Sequence, residues 1–354
     1  MLMLSAAHPK WQDSLNSDRE ARGSDEVSRR TRLSVLTALC AASVLAAGCG
    51  ATTEKPQGQD GGGGGGGEQC TPGDVSEVAP PKPLVVDAPA DDALAKMVPA
   101  NVKSDGKLVV ATDASYPPNE FTLEGSDEII GMDVDLGKAI GKVLGVEVQF
   151  VNASFDGILA GLQAGRYELG MSSFTDTKER EQTVDMVTYF EAGTSTMVRK
   201  CNPKGIDTTE DLCGKTVGAE NGTTQLDQLT KEDAEGSVVK VCADAGKEPV
   251  KGQGFPKQTD VNAALQANRI DAYLADTPVV NYAVKTTGNA FEKVGKDTDA
   301  APYGIAIPKA AKGLKEAVQG AVQQLISDGN YDKIMDNWGL EGGVKESKIN
   351  GAVY

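Results

Sequence analysis

Apolar residues recur in two alternating patterns from residue 107 onward. Short apolar runs over 108–112 and 146–151 are typical of buried strands. Between them, apolar residues repeat every three or four positions, which predicts an amphipathic helix over 132–144 and a second helix from Phe155. Because strands alternate with helices, the pattern predicts an α/β fold with a mostly parallel sheet.

The second half of the chain repeats this alternation. The predicted strands are 216–219, 238–242, 270–274 and 303–307. The predicted helices are 261–267, 314–326, 331–338 and one that starts at Thr277-Pro278, where proline suits a first turn. A chain of 354 residues with this many elements is long enough for two domains.

The apolar run near the amino terminus has a different character. Three arginines precede the segment 33–47, which is too short to span a membrane, so 1–48 is predicted to be a secretory signal peptide. Small residues then lead to Cys49. This order resembles bacterial lipoprotein signals, which implies that Cys49 carries lipid such as palmitate and anchors the exported protein to the outer face of the cell membrane. A plain cleaved signal is the alternative, because Ala46 stands where that pattern prefers leucine.

Residues 49–103 are predicted to form a flexible tether, in which 91–98 could make two helical turns. They include seven consecutive glycines at 61–67, followed by a few prolines, and no strand or helix flanks the glycine run as a nucleotide-binding loop would require. The folded body is therefore expected to begin near residue 104.

Charge and residue types exclude several functions. The formal net charge is −16 and no basic stripe is present, so we expect no nucleic-acid partner. The single histidine, His8, lies in the predicted signal peptide. A mature protein without histidine lacks Ser-His and Cys-His nucleophiles and histidine-bound zinc, so neither metal nor cofactor is expected, whereas carboxylate chemistry stays open.

Six cysteines are present, of which Cys40 and Cys49 belong to the signal region. An exported protein can oxidise the others. These are Cys70, Cys201, Cys213 and Cys242. Four cysteines allow three pairings, and their spacing alone does not choose between them.

The segment 170–180 is the richest in candidate chemistry. It carries the hydroxyls of Ser172, Ser173 and Thr175, a predicted helix start, and Arg180. Hydroxyls, free backbone N–H groups and a guanidinium close together are suited to bind a carboxylate. The alternative is an ordinary Ser/Thr-rich loop whose arginine pairs with Glu179 or its neighbours on a surface helix.

Five motifs in register then point to a known family. They are Val-Ala-Thr-Asp-Ala-Ser-Tyr-Pro-Pro at 110–118, Gly-Met-Asp-Val-Asp-Leu at 131–136, Ser-Ser-Phe-Thr at 172–175 with Arg180, Asn-Gly-Thr-Thr at 221–224, and Asp276. From about residue 104 to about 340, the set resembles the extracellular solute-binding proteins of polar amino-acid ABC transporters, family 3.

The resemblance implies two α/β lobes joined by two crossing hinge strands, a periplasmic-binding-protein-like fold. Lobe one is expected to comprise 104–192 and 302–354, and lobe two 193–301. The ligand is expected in the cleft between them, beyond the carboxyl ends of the strands.

The resemblance also implies a ligand-binding set. It consists of Asp113, Tyr116, Phe155, Ser172, Ser173, Thr175, Arg180, Thr223, Thr224 and Asp276. In this set Arg180 binds the ligand carboxylate with two parallel hydrogen bonds. Thr175 and the backbone N–H groups of Ser173 and of residue 223 or 224 assist it. Asp276 binds the ammonium group of the ligand, and the rings of Tyr116 and Phe155 pack on either side of the ligand side chain.

Each assignment has an ordinary structural alternative. Asp276 suits the cap of the following helix, Thr223 and Thr224 suit a helix start, and Phe155 suits the core. Asp113 matches a position that reaches the far end of a long ligand, which favours a polar or basic amino acid, but a loop carboxylate often binds its own backbone. Asn119, where the family usually has phenylalanine, limits how far specificity transfers.

The function implied is capture of an amino acid for an ABC permease by a monomeric, membrane-anchored, non-enzymatic protein. One alternative is an enzyme like the cyclohexadienyl or arogenate dehydratases that resemble this fold, and another is a lipoprotein that senses a ligand. Resemblance also implies a disulfide between Cys213 and Cys242, which leaves Cys70 with Cys201 by elimination.

Overall fold

The computed structural model describes residues 78–100, 102 and 106–354, all within one compact unit. The predicted signal peptide, Cys49, the glycine run and Cys70 lie outside these residues. Residues 78–100, predicted as the end of the flexible tether, include part of the folded body instead. Val86 and Val98 are buried, and the backbone N–H of Asp91 donates to the carbonyl of Val143.

The strands and helices follow the alternation that the sequence pattern predicts. The strands are β1 (Lys107–Thr112), β2 (Ser115–Tyr116), β3 (Glu120–Thr122), β4 (Ile129–Ile130), β5 (Glu147–Asn152), β6 (Leu169–Gly170), β7 (Val184–Arg199), β8 (Thr216–Glu220), β9 (Lys251–Phe255), β10 (Ala272–Asp276) and β11 (Phe291–Pro308). The α-helices are α1 (Asp92–Met97), α2 (Met132–Leu144), α3 (Phe155–Gln163), α4 (Lys178–Thr183), α5 (Thr224–Thr230), α6 (Val238–Asp244), α7 (Gln258–Gln266), α8 (Thr277–Thr286), α9 (Leu314–Ser327) and α10 (Asn330–Trp338). Helix α2 illustrates how the sequence determines an element: its apolar stripe is buried, and Gly145 ends the helix in a left-handed conformation.

One eight-stranded sheet runs through the described residues in the order β5-β1-β6-β11-β7-β10-β8-β9. Strand β1 is parallel to β5 and β6, and β8 is parallel to β9 and β10. The long strands β7 and β11 are antiparallel to each other and run through both halves. The β7–β11 register shifts between Val294 and Tyr303, where the two strands pass from one half to the other.

These halves are two α/β lobes. We call the half built on β5, β1 and β6 lobe one, and the half built on β10, β8 and β9 lobe two. Each has its own hydrophobic clusters: Leu136 and Val322 belong to the core of lobe one, and Val261 and Leu229 to clusters of lobe two. The two-lobed α/β fold is therefore confirmed, while the residue bounds of the lobes stay a prediction.

The segment 343–354 returns to lobe one. Ile349 pairs with Val187 of β7, and the carbonyl of Tyr354 accepts a hydrogen bond from the backbone N–H of Lys178. Lobe one is thus built from chain segments that are far apart in sequence.

One predicted element is wrong. Residues 238–242 were predicted to be a strand because valines dominate them, but they form helix α6. The hydroxyl of Ser237 accepts a hydrogen bond from the backbone N–H of Lys240 and caps the helix, which buries Val238 and Cys242 on one face. The strand that follows β8 in the sheet is β9 instead.

Helix α6 is also held covalently. A disulfide joins Cys242 to Cys213, which precedes β8. Cys201 is disulfide-bonded as well, and its predicted partner Cys70 lies outside the described residues. Within the described ranges no helix is both long and apolar enough to cross a membrane.

Candidate ligand-binding cleft

A small cavity lies between the lobes. The side chains that line it are Asp113, Tyr116, Glu120, Phe155, Ser172, Ser173, Thr175, Arg180, Glu220, Thr223, Thr224, Gln225 and Asp276. All ten residues predicted from the family resemblance are among them. Their proposed contacts with a ligand remain predictions, since the geometry shows only that they converge.

The sheet explains why residues far apart in sequence meet here. Asp113 follows β1 and Ser172 follows β6, and these strands are parallel neighbours. Glu220 and Asp276 end β8 and β10, which are parallel neighbours in lobe two. Parallel strands present their carboxyl ends at one edge of a sheet, so both lobes direct polar side chains into the same cleft.

Arg180 spans the cleft. One terminal nitrogen donates to the carbonyl of Thr175 at 2.8 Å, and the other donates to the carbonyl of Gly222 in lobe two at 3.0 Å. Its guanidinium also lies over the rings of Phe155 and Phe174, 5.6 and 5.4 Å from their centroids. Burial lowers the pKa of Arg180, but a guanidinium stays protonated, so the cleft holds one fixed cation.

Gly222 allows this approach of the two lobes. Its φ is +78°, and a Cβ there would lie 2.9 Å from the Cβ of Asp156 in lobe one. A larger residue would suffer both backbone strain and a clash across the cleft. The next residue, Thr223, donates its hydroxyl to the carbonyl of Glu220 at 2.7 Å and caps α5, so the helix-start role of Thr223 is real.

The Ser172–Ser173 segment is held from behind by acidic groups. The hydroxyls of both serines donate to the carboxyl of Glu120, and the backbone N–H of Ser173 donates to Asp133 at 3.0 Å. The prediction that this N–H binds a ligand carboxylate is therefore wrong, because Asp133 already accepts from it. Burial, followed by the charge of Asp133, raises the pKa of Glu120 well above its usual range, so the pair holds a proton at neutral pH.

Asp276 is held by side chains from both lobes. Its Oδ2 accepts from the hydroxyl of Tyr116 at 2.9 Å, and its Oδ1 accepts from the amide of Gln225 at 2.8 Å. Asp276 stands at the N-cap position of α8, but its side chain makes no capping hydrogen bond. Burial raises its pKa to about 6, while the hydrogen bonds from Tyr116 and Gln225 oppose that shift. The carboxylate is thus charged at neutral pH and oriented toward the cleft.

A second carboxyl group from each lobe completes the polar lining. Asp113 Oδ2 accepts from the backbone N–H of Phe155 at 3.0 Å, so Asp113 binds a distant backbone group in addition to the Ser115 hydroxyl of its own loop. Burial raises the pKa of Asp113. Glu220 in lobe two is buried within hydrogen-bonding reach of Asp113, and burial, reinforced by the charge of Asp113, raises its pKa to about 9.

The two lobes are closed on each other. Tyr116 reaches Asp276, Arg180 reaches Gly222, and the hydroxyls of Thr175 and Thr224 are 3.4 Å apart. With these contacts in place, the lining side chains leave a cavity of about 10 Å³, which is room for about one water molecule. The cleft thus presents hydrogen-bond donors, acceptors and two aromatic surfaces, and the lobes must separate before a molecule of amino-acid size can enter. Among the described residues no set of three His, Cys, Asp or Glu side chains is placed to hold a metal ion.

Sequence reasoning missed three lining residues, Glu120, Glu220 and Gln225. Gln225 directly follows the Asn-Gly-Thr-Thr motif and lies in the first turn of α5, so its position was accessible from the sequence. Glu220 ends β8 just before the same motif, and a charged residue at the end of an otherwise apolar strand was the available signal.

Comparisons with known proteins agree with this geometry. The family model described as bacterial extracellular solute-binding proteins, family 3, matches residues 108–341. The arginine-binding protein ArgT of Corynebacterium glutamicum is 32% identical over 254 residues, which cover 72% of this chain and 81% of that protein. The L-cystine-binding protein TcyJ of Escherichia coli is 30% identical and covers 67% of this chain and 84% of its own length.

A solved structure extends the comparison to three dimensions. An ancestral amino acid-binding protein, described as a precursor of cyclohexadienyl dehydratase, superimposes with a TM-score of 0.58 at 32% identity. It covers 67% of this chain and 97% of that structure. The family match spans more than half of the chain and includes both lobes, and the chain belongs to the bacterial extracellular solute-binding proteins, family 3.

Proposed function

We propose that this protein captures a basic amino acid of the arginine class in the cleft and delivers it to an ABC permease. One observation carries the proposal: the cleft is lined by one partly buried guanidinium, that of Arg180, and by an excess of carboxyl groups. Arg180 acts electrostatically on Asp276 of the opposite lobe, and Asp113 and Glu220 lie within hydrogen-bonding reach of each other.

The charges match those of a basic amino acid. Its carboxylate pairs with Arg180, assisted by the hydroxyls of Thr175 and Thr224. Its ammonium pairs with Asp276, and the cationic end of its side chain lies beside Asp113. Water is excluded from a closed cleft, so each ligand charge needs a partner of opposite sign, or binding costs about several kcal/mol per unpaired charge.

The aromatic residues suit the aliphatic part of such a ligand. Tyr116 and Phe155 are almost fully buried and line the cavity from lobe one. The ring of Phe155 stacks on Phe174 at 4.5 Å, which fixes its orientation. A planar guanidinium or an aliphatic chain between Tyr116 and Phe155 gains dispersion and cation–π attraction. The arginine-binding relative supports the basic class, and the cystine-binding relative shows that the family framework alone does not select it.

A titration panel of the common amino acids tests this function. We expect thermal stabilisation by L-arginine above all, then by other basic amino acids. A ligand at a hundredfold excess over its Kd stabilises the folded protein by about 2.7 kcal/mol. If no amino acid raises the melting temperature, the proposal fails. Incubation with prephenate and arogenate is the matched enzyme test, and we expect no turnover.

Delivery to a permease requires that the closed, loaded form differ from the empty one. A ligand that contacts both lobes binds the closed form better and shifts the population toward it. Strands β7 and β11 connect the lobes and are the expected hinge, since few residues need to change conformation. Small-angle scattering of the body without the leader and glycine run should show a smaller radius of gyration with saturating arginine. An unchanged radius with binding confirmed by calorimetry contradicts this mechanism.

A further inference from the structure

Two carboxyl groups meet in the cleft from opposite lobes. Asp113 comes from the end of β1 and Glu220 from the end of β8, and each is 2% exposed. Asp113 Oδ1 and Glu220 Oε1 are buried, and among the described residues no N–H or hydroxyl group donates to either oxygen; the two carboxyl groups lie within hydrogen-bonding reach of each other instead. A carboxylic acid can donate to a neighbouring carboxylate, so this contact is favourable only while one of the two groups keeps a proton.

The surrounding charges do not neutralise the pair. The charged groups that act on Glu220 are Asp113, Asp156 and Asp276, and all of them are acidic. The cation that acts on Asp113 is Lys257, whose side chain is exposed on lobe two. Without a ligand, the two carboxyl groups can remain close only if one of them keeps a proton. The pKa of about 9 makes Glu220 the group that keeps it.

We propose that Glu220 and Asp113 form a two-carboxylate subsite that grips the cationic end of a basic amino acid from both lobes, and that Glu220 releases its proton when the cation enters. This inference rests on the proposed function and adds a specificity-determining residue to it. The proton passes to solvent, so the cation replaces it as the partner of the second carboxylate.

The geometry explains why the second carboxylate favours a cation over a neutral ligand of the same shape. A guanidinium presents N–H donors along more than one edge of a planar group, so carboxylates on opposite lobes can bind it together. A neutral urea or amide group supplies no charge to replace the proton on Glu220. The preference for a cationic ligand side chain is thereby coupled to closure of the lobes, because Asp113 belongs to lobe one and Glu220 to lobe two.

L-Arginine and L-citrulline are the matched probes, since they differ mainly in replacing the guanidinium by a neutral urea. Both are titrated calorimetrically into the leader-free protein at pH 7.5, in two buffers of different ionisation enthalpy. We expect arginine to release about one proton per ligand and citrulline close to none. In Glu220→Gln, which keeps size and hydrogen bonding, arginine should bind about tenfold or more weakly, proton release should disappear, and citrulline should bind within about threefold of wild type.

Asp156→Asn is the control variant. It removes a neighbouring negative charge from an exposed side chain outside the cavity lining, so we expect arginine affinity within about threefold of wild type. The melting temperature of each unliganded variant shows that it is folded. If Glu220→Gln keeps wild-type selectivity for arginine over citrulline, or if wild type releases no proton, the inference is wrong while the proposed function stands. If wild type binds neither probe nor any other amino acid, both are wrong.

Discussion

Tyr116→Phe removes a single hydroxyl that joins the two lobes. In the structure this hydroxyl donates to Asp276 Oδ2 at 2.9 Å and accepts from the backbone N–H of Asp276 at 3.0 Å. Hydrogen bonds to charged groups contribute about 1.5 to 3 kcal/mol each. At 1.4 kcal/mol per tenfold change, we expect arginine to bind about ten- to a hundredfold more weakly at neutral pH.

The pH dependence separates this effect from a general loss of packing. The ligand ammonium needs the ionised form of Asp276, so binding is fully supported above the pKa of about 6 and weakens as pH falls through it. Loss of the Tyr116 hydroxyl raises that pKa further, because this hydrogen bond favours the charged form. A rise of about one unit makes the ratio of variant to wild-type Kd grow about tenfold between pH 8.5 and 5. Proton release by other groups in the cleft changes the Kd of the variant and of the wild type by the same factor, so it cancels in this ratio.

Calorimetric titration with L-arginine across this pH range measures the ratio. Tyr282→Phe is the matched control, since Tyr282 is half-buried on α8 and does not line the cavity. A Tyr116→Phe affinity within about twofold of wild type, with a ratio that is flat in pH, would refute the assignment of Tyr116 and Asp276 to the ammonium site.

Four further outcomes are expected. Arg180→Ala leaves the ligand carboxylate unpaired and should weaken arginine binding by about 3 to 5 kcal/mol without unfolding the protein, and calorimetric binding within about threefold of wild type contradicts this. Cys213→Ser opens a loop with a sequence separation of 29 residues, so denaturant unfolding should show a loss of about 3 to 4 kcal/mol, and an unchanged midpoint argues against it. Burial raises the pKa of Asp133 and Asp176 to about 7, above their unfolded values, so the empty protein binds more protons folded than unfolded. Its melting temperature should therefore be highest in mild acid and fall as pH rises from about 5 to 8. A melting temperature that increases over that pH range would contradict this reasoning. Cys49→Ala should leave the protein unattached to membranes or unprocessed, and normal processing with membrane attachment excludes the lipid anchor.

The sequence predicted most of the cleft because the relevant signals are local. The grouping of residues such as Ser172 and Asp276 came from the resemblance of five motifs to a known family, and the carboxyl ends of the strands in each lobe explain why these residues line the cleft. Arg180 lies on a short helix and not at a strand end, and its match to the family motif placed it in the site. The exact partners of the site residues were not accessible, because the donation of Ser173 N–H to Asp133 depends on how α2 packs behind the loop.

Two misses have physical causes of a different kind. The valines of 238–242 favour a strand by intrinsic preference, but the Ser237 cap and burial of Val238 and Cys242 on one helical face decide the outcome. Glu220 was overlooked because a glutamate at a strand end is usually solvated. Only the closed arrangement of both lobes buries it against Asp113.

The construction of lobe one has a consequence for the order of folding. Its sheet is completed only when Ala306 of β11 pairs with Gly170 of β6, and when 343–354 returns to β7. We therefore expect strands β1, β5 and β6 to keep an unpaired edge until the segment that carries β11 is available to fold. Lobe two is continuous in sequence apart from the shared long strands, so we expect it to gain its helices and its Cys213–Cys242 bond first. Exposed edges and late long-range pairing are conditions under which chains aggregate, so the interval before β11 pairs is when this protein depends most on assistance from chaperones.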